Sequence, residues 1–155
     1  MANVSIEFLG ATETVTGSRF LLTGEDSQIL IDAGLFQGTA EIKAKNWDPF
    51  PIKPSSIDAV VLTHAHLDHT GYLPLLVKQG FSGPVYCTEY TAKLVSVILL
   101  DSARIQMEDA KYAQKKGYSS HTNPRALYDE SDVAQALKLI KVCKFDTDIP
   151  INETT

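Results

Sequence analysis

Three of the four histidines in this 155-residue chain, His64, His66 and His69, fall within six residues, with Asp68 among them. Neutral imidazole nitrogens and a carboxylate oxygen suit a borderline cation such as Zn²⁺, with iron or manganese as alternatives at the carboxylate-rich position. Four donors on so short a segment do not all close on one ion. Two ligands per metal, completed from elsewhere in the chain, is the easier geometry, and it describes a two-metal hydrolytic site with ions about 3.5–4 Å apart. Two blander readings compete: a surface loop that happens to be His-rich, and a structural zinc site, which would usually bring cysteines.

The elements around the cluster should position it. Asp58-Ala-Val-Val-Leu-Thr63 is apolar and β-branched, the pattern of a buried strand, and Gly71-Tyr-Leu-Pro-Leu-Leu-Val-Lys78 reads as a helix. The ligands therefore belong on a strand-to-helix loop. An extended backbone past the strand puts His64, His66 and Asp68 on one side, and the turn into the helix brings His69 near. Strands are expected near 3–9, 18–23, 28–32, 58–63 and 84–87, and helices near 70–79, 88–116 and 130–141. Thr88 is a candidate N-cap with Glu89 in the first turn, and Leu94, Ile98 and Ile105 form an apolar stripe on a structural helix. Asp32 ends the apolar strand Gln28-Ile-Leu-Ile-Asp32. It is either a turn aspartate or a carboxylate that fixes a ligand histidine from behind.

The His-Ala-His-Leu-Asp-His run resembles the signature of the metallo-β-lactamase fold superfamily. Gly10-Ala-Thr-Glu-Thr-Val-Thr-Gly-Ser18, Ile29-Leu-Ile-Asp-Ala-Gly-Leu-Phe-Gln-Gly38 and Gly83-Pro-Val-Tyr-Cys-Thr88 flank it in the order and spacing of one branch, the β-CASP nucleases. Leu100-Asp-Ser-Ala-Arg-Ile-Gln106, Pro124-Arg-Ala-Leu-Tyr128 and Asp132-Val-Ala-Gln-Ala-Leu137 extend the likeness over nearly the whole chain. The resemblance implies an α/β fold, one half of an αββα sandwich in which a mixed sheet is covered by helices. It also implies that His64 and His66 bind one zinc and Asp68 and His69 a second, with Asp68 orienting the attacking hydroxide. Asp32 would lie beneath the metals and bond toward the ligand loop. The implied reaction is hydrolysis of RNA phosphodiesters.

The departures from that family count as much. A complete member adds two further histidines, a bridging aspartate and a helical β-CASP insertion, all downstream of residue 155. The chain is therefore expected to be the N-terminal part of a metallo-β-lactamase domain over residues 1–155, with an apolar sheet face left without its partner and a tendency to self-associate, as a homodimer or otherwise. RNA would be held mainly through the missing β-CASP region. His121, in a polar stretch, reads as a solvated loop residue. A small-molecule metallo-hydrolase acting on thioesters or lactones is one alternative, and a truncated, non-catalytic metal-binding module is another.

Composition sets outer bounds. Fourteen basic against 19 acidic residues give a net charge of −5, which is not the footprint of a domain that grips a polyanion by itself. Lys111, Lys115, Lys116, Lys138, Lys141 and Lys144 read as solvated helix faces. The N-terminus has no signal-peptide pattern, and Leu94–Leu100 is too short to span a bilayer, so a cytoplasmic protein without membrane contact is expected. Cys87 and Cys143 read as buried or incidental thiols. Thr16-Gly-Ser18 is open between a tight turn and the rim of the site. Trp47-Asp-Pro-Phe50 is open between loop anchoring and base stacking.

Overall fold

The structure is a computed structural model that describes residues 4–116 and 124–151. His121 lies outside them. Six strands form one mixed sheet in sequence order: β1 Ser5–Phe8, β2 Phe20–Thr23, β3 Gln28–Ile31, β4 Ala59–Val61, β5 Val85–Thr88 and β6 Ile140–Cys143. The first three pair antiparallel and the rest parallel. The helices are α1 Ala40–Ala44, α2 Leu67–Thr70, α3 Leu73–Lys78, α4 Glu89–Lys116 and α5 Glu130–Leu137.

The register sorts side chains between the two sheet faces. Leu21, Leu30, Val60 and Val85 are direct partners in one row across β2 to β5 and are almost wholly buried. Leu73 and Leu76 of α3, Val95, Leu99 and Ala103 of α4, and Val133 and Ala136 of α5 belong to the same core. The opposite face carries a second row, Phe8, Phe20, Ile31, Val61 and Tyr86. No described helix closes over it: Ile6 and Phe8 are 56% and 65% exposed, and Phe20, Leu22, Ile31, Val61 and Tyr86 are half-buried.

Three expectations about elements need correction. The helix expected over 70–79 is two helices, because Pro74 has no N–H to give and begins a new helix in the first turn of α3. The helix expected to reach 141 stops at Leu137, and Ile140–Cys143 becomes the sixth strand. Pairing with β5, begun by the Val85 N–H donating to the Leu139 carbonyl, outweighs the helical spacing of the segment. On α4 the buried stripe is Thr91, Val95, Leu99, Ser102 and Ala103, whereas Leu94 and Ile105 are 56% and 51% exposed. Thr88 does cap that helix, accepting from the Thr91 N–H at 3.4 Å.

Neither cysteine is in a disulfide. Register aligns Cys143 with Thr88 and Cys87 with Val142, so adjacent positions send the two thiols to opposite faces. Burial pushes the Cys87 thiol up to about 11, so it stays protonated and unreactive at neutral pH. Among the described residues no helix is long and apolar enough to cross a membrane.

The open face generates a prediction. Apolar surface shared by five neighbouring strands should drive self-association, and Phe8→Glu on that face should shift sedimentation velocity toward the monomer without lowering the melting temperature. A chain that is already monodisperse and monomeric would contradict this.

Candidate metal centre

The candidate ligands gather at the carboxyl ends of β3 and β4, where parallel sheets place their ligand sites. Asp32 follows β3 directly and is 2% exposed, in the left-handed region at φ 61°. Aspartate tolerates that conformation better than most residues. Thr63 ends the segment after β4. Its N–H donates to Asp32 Oδ1 at 2.8 Å, and its hydroxyl lies 3.0 and 2.9 Å from the two carboxylate oxygens. Ser18 Oγ donates to Oδ2 at 3.3 Å. His69 Nδ1 sits 2.7 Å from the same Oδ2.

These contacts assign the ring protons. An ionised carboxylate only accepts, so His69 carries its proton on Nδ1 and leaves the unprotonated Nε2 lone pair open to a metal. The Thr63 hydroxyl has one proton, and Asp32 takes it. Toward His64 Nδ1, 3.0 Å away, that oxygen can then only accept, so His64 too carries its proton on Nδ1. One buried carboxylate thus sets two imidazoles, one directly and one through a hydroxyl.

The His64 ring centroid lies 4.0 Å from that of His69 and 4.8 Å from that of His66. His69 Nε2 is 3.5 Å from Asp68 Oδ2. Two donors bound tetrahedrally at about 2.0–2.2 Å are separated by about 3.3–3.6 Å, so this pair fits one divalent ion. Among the described residues no group of three or more His, Cys, Asp or Glu side chains is arranged around one ion.

One detail differs from the expected geometry. The chain does not stay extended to Asp68: His66 is the residue before α2, and Asp68 and His69 lie on that helix. The loop after Asp32 runs along α2 and holds it. Ala33 N–H donates to the His69 carbonyl, Leu35 N–H to Leu67, Ser18 N–H to Asp68, and Tyr72 N–H back to Ala33, all at 2.8–3.1 Å. A Cβ on Gly34 would lie 1.7 Å from the Asp68 carbonyl oxygen, so only glycine permits this approach.

The Thr16–Ser18 segment turns at Gly17, φ 81°, and brings Ser18 against the Asp32 carboxylate. Ser18 is buried against Asp32, and Thr16 Oγ1 exchanges hydrogen bonds at 2.9 Å with the backbone N–H and carbonyl of Gln37. Sequence reasoning gave no role to Arg19, Asn46 or Thr63. Arg19 is 3% exposed, donates from Nε to the Gly34 carbonyl at 2.9 Å, and lies 3.9, 4.8 and 5.6 Å from the ring centroids of Tyr72, Phe36 and Phe50. Burial lowers its pKa to about 10, which leaves it charged at neutral pH. Asn46 accepts from Phe36 N–H and donates to the Phe36 carbonyl. Thr63 had a signal, a hydroxyl beside the first histidine. Arg19 and Asn46 had none, because their partners are distant in sequence. Phe50 stacks on Tyr72 as a loop anchor, whereas Trp47 is 41% exposed. Lys111, Lys115, Lys138, Lys141 and Lys144 are exposed.

The tautomer assignment is testable by long-range ¹H–¹⁵N NMR. Both His64 and His69 should show a protonated Nδ1. Thr63→Val should release His64 alone, and Asp32→Asn should release both at a cost of about 1–3 kcal/mol in stability. A His69 tautomer that is unchanged in Asp32→Asn would overturn the relay.

The chain matches the family model described as the metallo-β-lactamase superfamily over residues 14–114. It is 46% identical over 99 residues to ribonuclease TTHA0252 of Thermus thermophilus, covering 64% of this chain and 22% of that protein. It is 39% identical over 149 residues to transcription termination factor FttA of Methanosarcina mazei, covering 88% and 22%. With "Probable RNase MJ4" of Methanocaldococcus jannaschii the identity is 35% over 127 residues, covering 80% and 27%. The chain thus spans about a quarter or less of the length of these curated relatives. A solved metallo-β-lactamase with a HARLDQ motif from Cronobacter sakazakii aligns at a TM-score of 0.41 and 25% identity, covering 66% of this chain and 33% of that one. The assignment rests on the sequence matches, and by them the chain belongs to the metallo-β-lactamase superfamily and these relatives to its β-CASP branch.

Proposed function

We propose that this chain carries part of the catalytic centre of a β-CASP ribonuclease that hydrolyses RNA phosphodiesters with two divalent ions. His64 and His66 hold one ion, and Asp68 and His69 the other. Zinc is the first candidate for this donor set, with iron or manganese next. The observation that carries the reading is the Asp32–His69–Asp68 arrangement: a buried carboxylate fixes the imidazole so that Nε2 and a second carboxylate oxygen stand 3.5 Å apart. Likeness to proteins named as ribonucleases and as a transcription termination factor supports RNA as the substrate.

The ions would supply Lewis acidity, acidify water and offset charge on the phosphodiester in its transition state. The chain's own residues would do the positioning. Asp32 and Thr63 keep His64 and His69 in the ligating tautomer, and the docked Ala33–Leu35 loop holds α2 at a fixed distance from Asp32. Asp68, on that helix, would orient the attacking oxygen. Remaining ligands, and most of the grip on RNA, would come from outside the described residues.

Cleavage of a labelled single-stranded RNA tests this. Chelation should abolish cleavage, and zinc or manganese should restore it. His66→Ala should lower cleavage at least about 100-fold with its circular dichroism unchanged, and Asp32→Asn should weaken metal binding about 10–100-fold. Full activity in His66→Ala would sink the assignment. Hydrolysis of a thioester or lactone but not RNA would point to the small-molecule hydrolase, and stoichiometric metal binding with no hydrolysis to a non-catalytic module.

A further inference from the structure

Among the described residues β1 and β6 are the two edges of the sheet, and they are built differently. β6 carries Lys141, with Lys144 directly after it, and lysines on an edge strand discourage a further strand from pairing. β1 has no such guard. Ser5, Ile6, Glu7 and Phe8 are all exposed, Val4 before them is 65% exposed, and the strand holds neither lysine nor proline. The first basic residue of the chain is Arg19, which is buried.

Strand register fixes which backbone groups this edge presents. Leu9 N–H donates to the Arg19 carbonyl at 2.9 Å, one step beyond the Phe8–Phe20 pair, so Leu9 and Arg19 are a hydrogen-bonded pair. Such pairs alternate along an antiparallel ladder with pairs that exchange no bonds. Glu7 and Ser5 therefore turn their N–H and carbonyl groups toward β2, whereas Phe8 and Ile6 turn theirs away from it. Among the described residues no backbone partner meets those outward groups.

A second β1 laid antiparallel on this edge offers the same groups in return. With a two-fold axis at Ile6, each Ile6 exchanges hydrogen bonds with its counterpart, Val4 comes opposite Phe8, and Glu7 comes opposite the Ser5 hydroxyl. An axis at Glu7 would set two carboxylates against each other, which is destabilising. An axis at Ser5 would pair only Val4 to Ile6 of the described residues. The Ile6 register alone uses all of β1, matches apolar with apolar, and opposes no like charges.

We propose that β1 is a docking edge for a second copy of this chain, forming a two-fold dimer in which the two six-stranded sheets run on as one. Contacts of this size belong with weak, transient interfaces, below about 1,200 Å², so the dimer is reversible and its population rises with concentration. Edge pairing is separate from association through the open apolar face, because it leaves Val61 and Tyr86 uncovered. It is also independent of the metal and RNA readings.

Amide exchange in the unaltered chain, followed by NMR over a range of concentrations, tests the edge directly. The Glu7 and Leu9 amides should be protected throughout, and those of Ile6 and Phe8 should gain protection only as the chain associates. Ile6→Pro removes one outward N–H and no bond to β2, so in sedimentation velocity it should abolish the edge dimer. Tyr86→Glu, on the open face and four strands away, should leave that dimer in place. Ser5→Glu should weaken association about tenfold, since it opposes like charges twice across the axis, and adding Glu7→Lys should restore it. Association with the Ile6 and Phe8 amides unprotected would overturn the proposal. So would protection of those amides that is independent of concentration, a chain monomeric throughout, or a Tyr86→Glu chain that is monomeric while Ile6→Pro still associates.

Discussion

The buried Asp32 carboxylate is the constraint on which the site depends. A charge at 2% exposure is tolerated only when hydrogen-bonded, and Asp32 is served by the Thr63 N–H and hydroxyl, the Ser18 hydroxyl and the His69 ring. Those donors come from three separate segments, so satisfying one carboxylate brings β2, β4 and α2 to a common point. Strand register makes this work. Ile31 pairs with Val61, and Asp32 N–H donates to the Val61 carbonyl, which leaves the carboxylate level with Thr63. Slipping β4 by one residue would turn Thr63 to the other face and leave the charge underserved.

Around that carboxylate the backbone is packed as closely as glycine allows. The Ala33–Leu35 loop meets α2 through hydrogen bonds at both ends, with Gly34 against the Asp68 carbonyl between them. Arg19 secures the far side of this loop through the Gly34 carbonyl. Its charge is buried without a carboxylate partner among the described residues, and the faces of Phe36, Phe50 and Tyr72 take that role. A neutral side chain would face no such desolvation cost, so the guanidinium's value lies in its directed Nε–H and in the flat stack it makes with three rings. α2, a helix of only four residues, is therefore held by tertiary contacts rather than by its own turns.

What the sequence made legible follows from the range of the interactions concerned. The His64–His69 cluster and the apolar runs of β3 and β4 are local patterns, readable from residue type and spacing. Gly34 could be seen as a glycine, but its reason, a carbonyl 34 positions later in the chain, could not. Arg19 looks like an ordinary surface cation in sequence, because the aromatic cage assembles from residues 36, 50 and 72. The sixth strand was hidden for a related reason. Leu137-Lys-Leu-Ile-Lys-Val-Cys143 suits a helix as well as a strand, and the free edge of β5 decides between them.

The charge balance poses a question that the geometry helps to answer. A chain at −5 repels a polyanion at long range, yet on the proposed reading a phosphodiester would have to approach Asp68. Two divalent ions would bring four positive charges and take the formal sum to −1. Those charges would also act inside one Debye length, about 8 Å at physiological ionic strength, where distant acids are screened. Attraction built in this way is local and conditional on metal loading. Apo protein would lack those charges, so affinity for nucleic acid should be coupled to metal binding, and by linkage RNA should tighten the metals by the same factor.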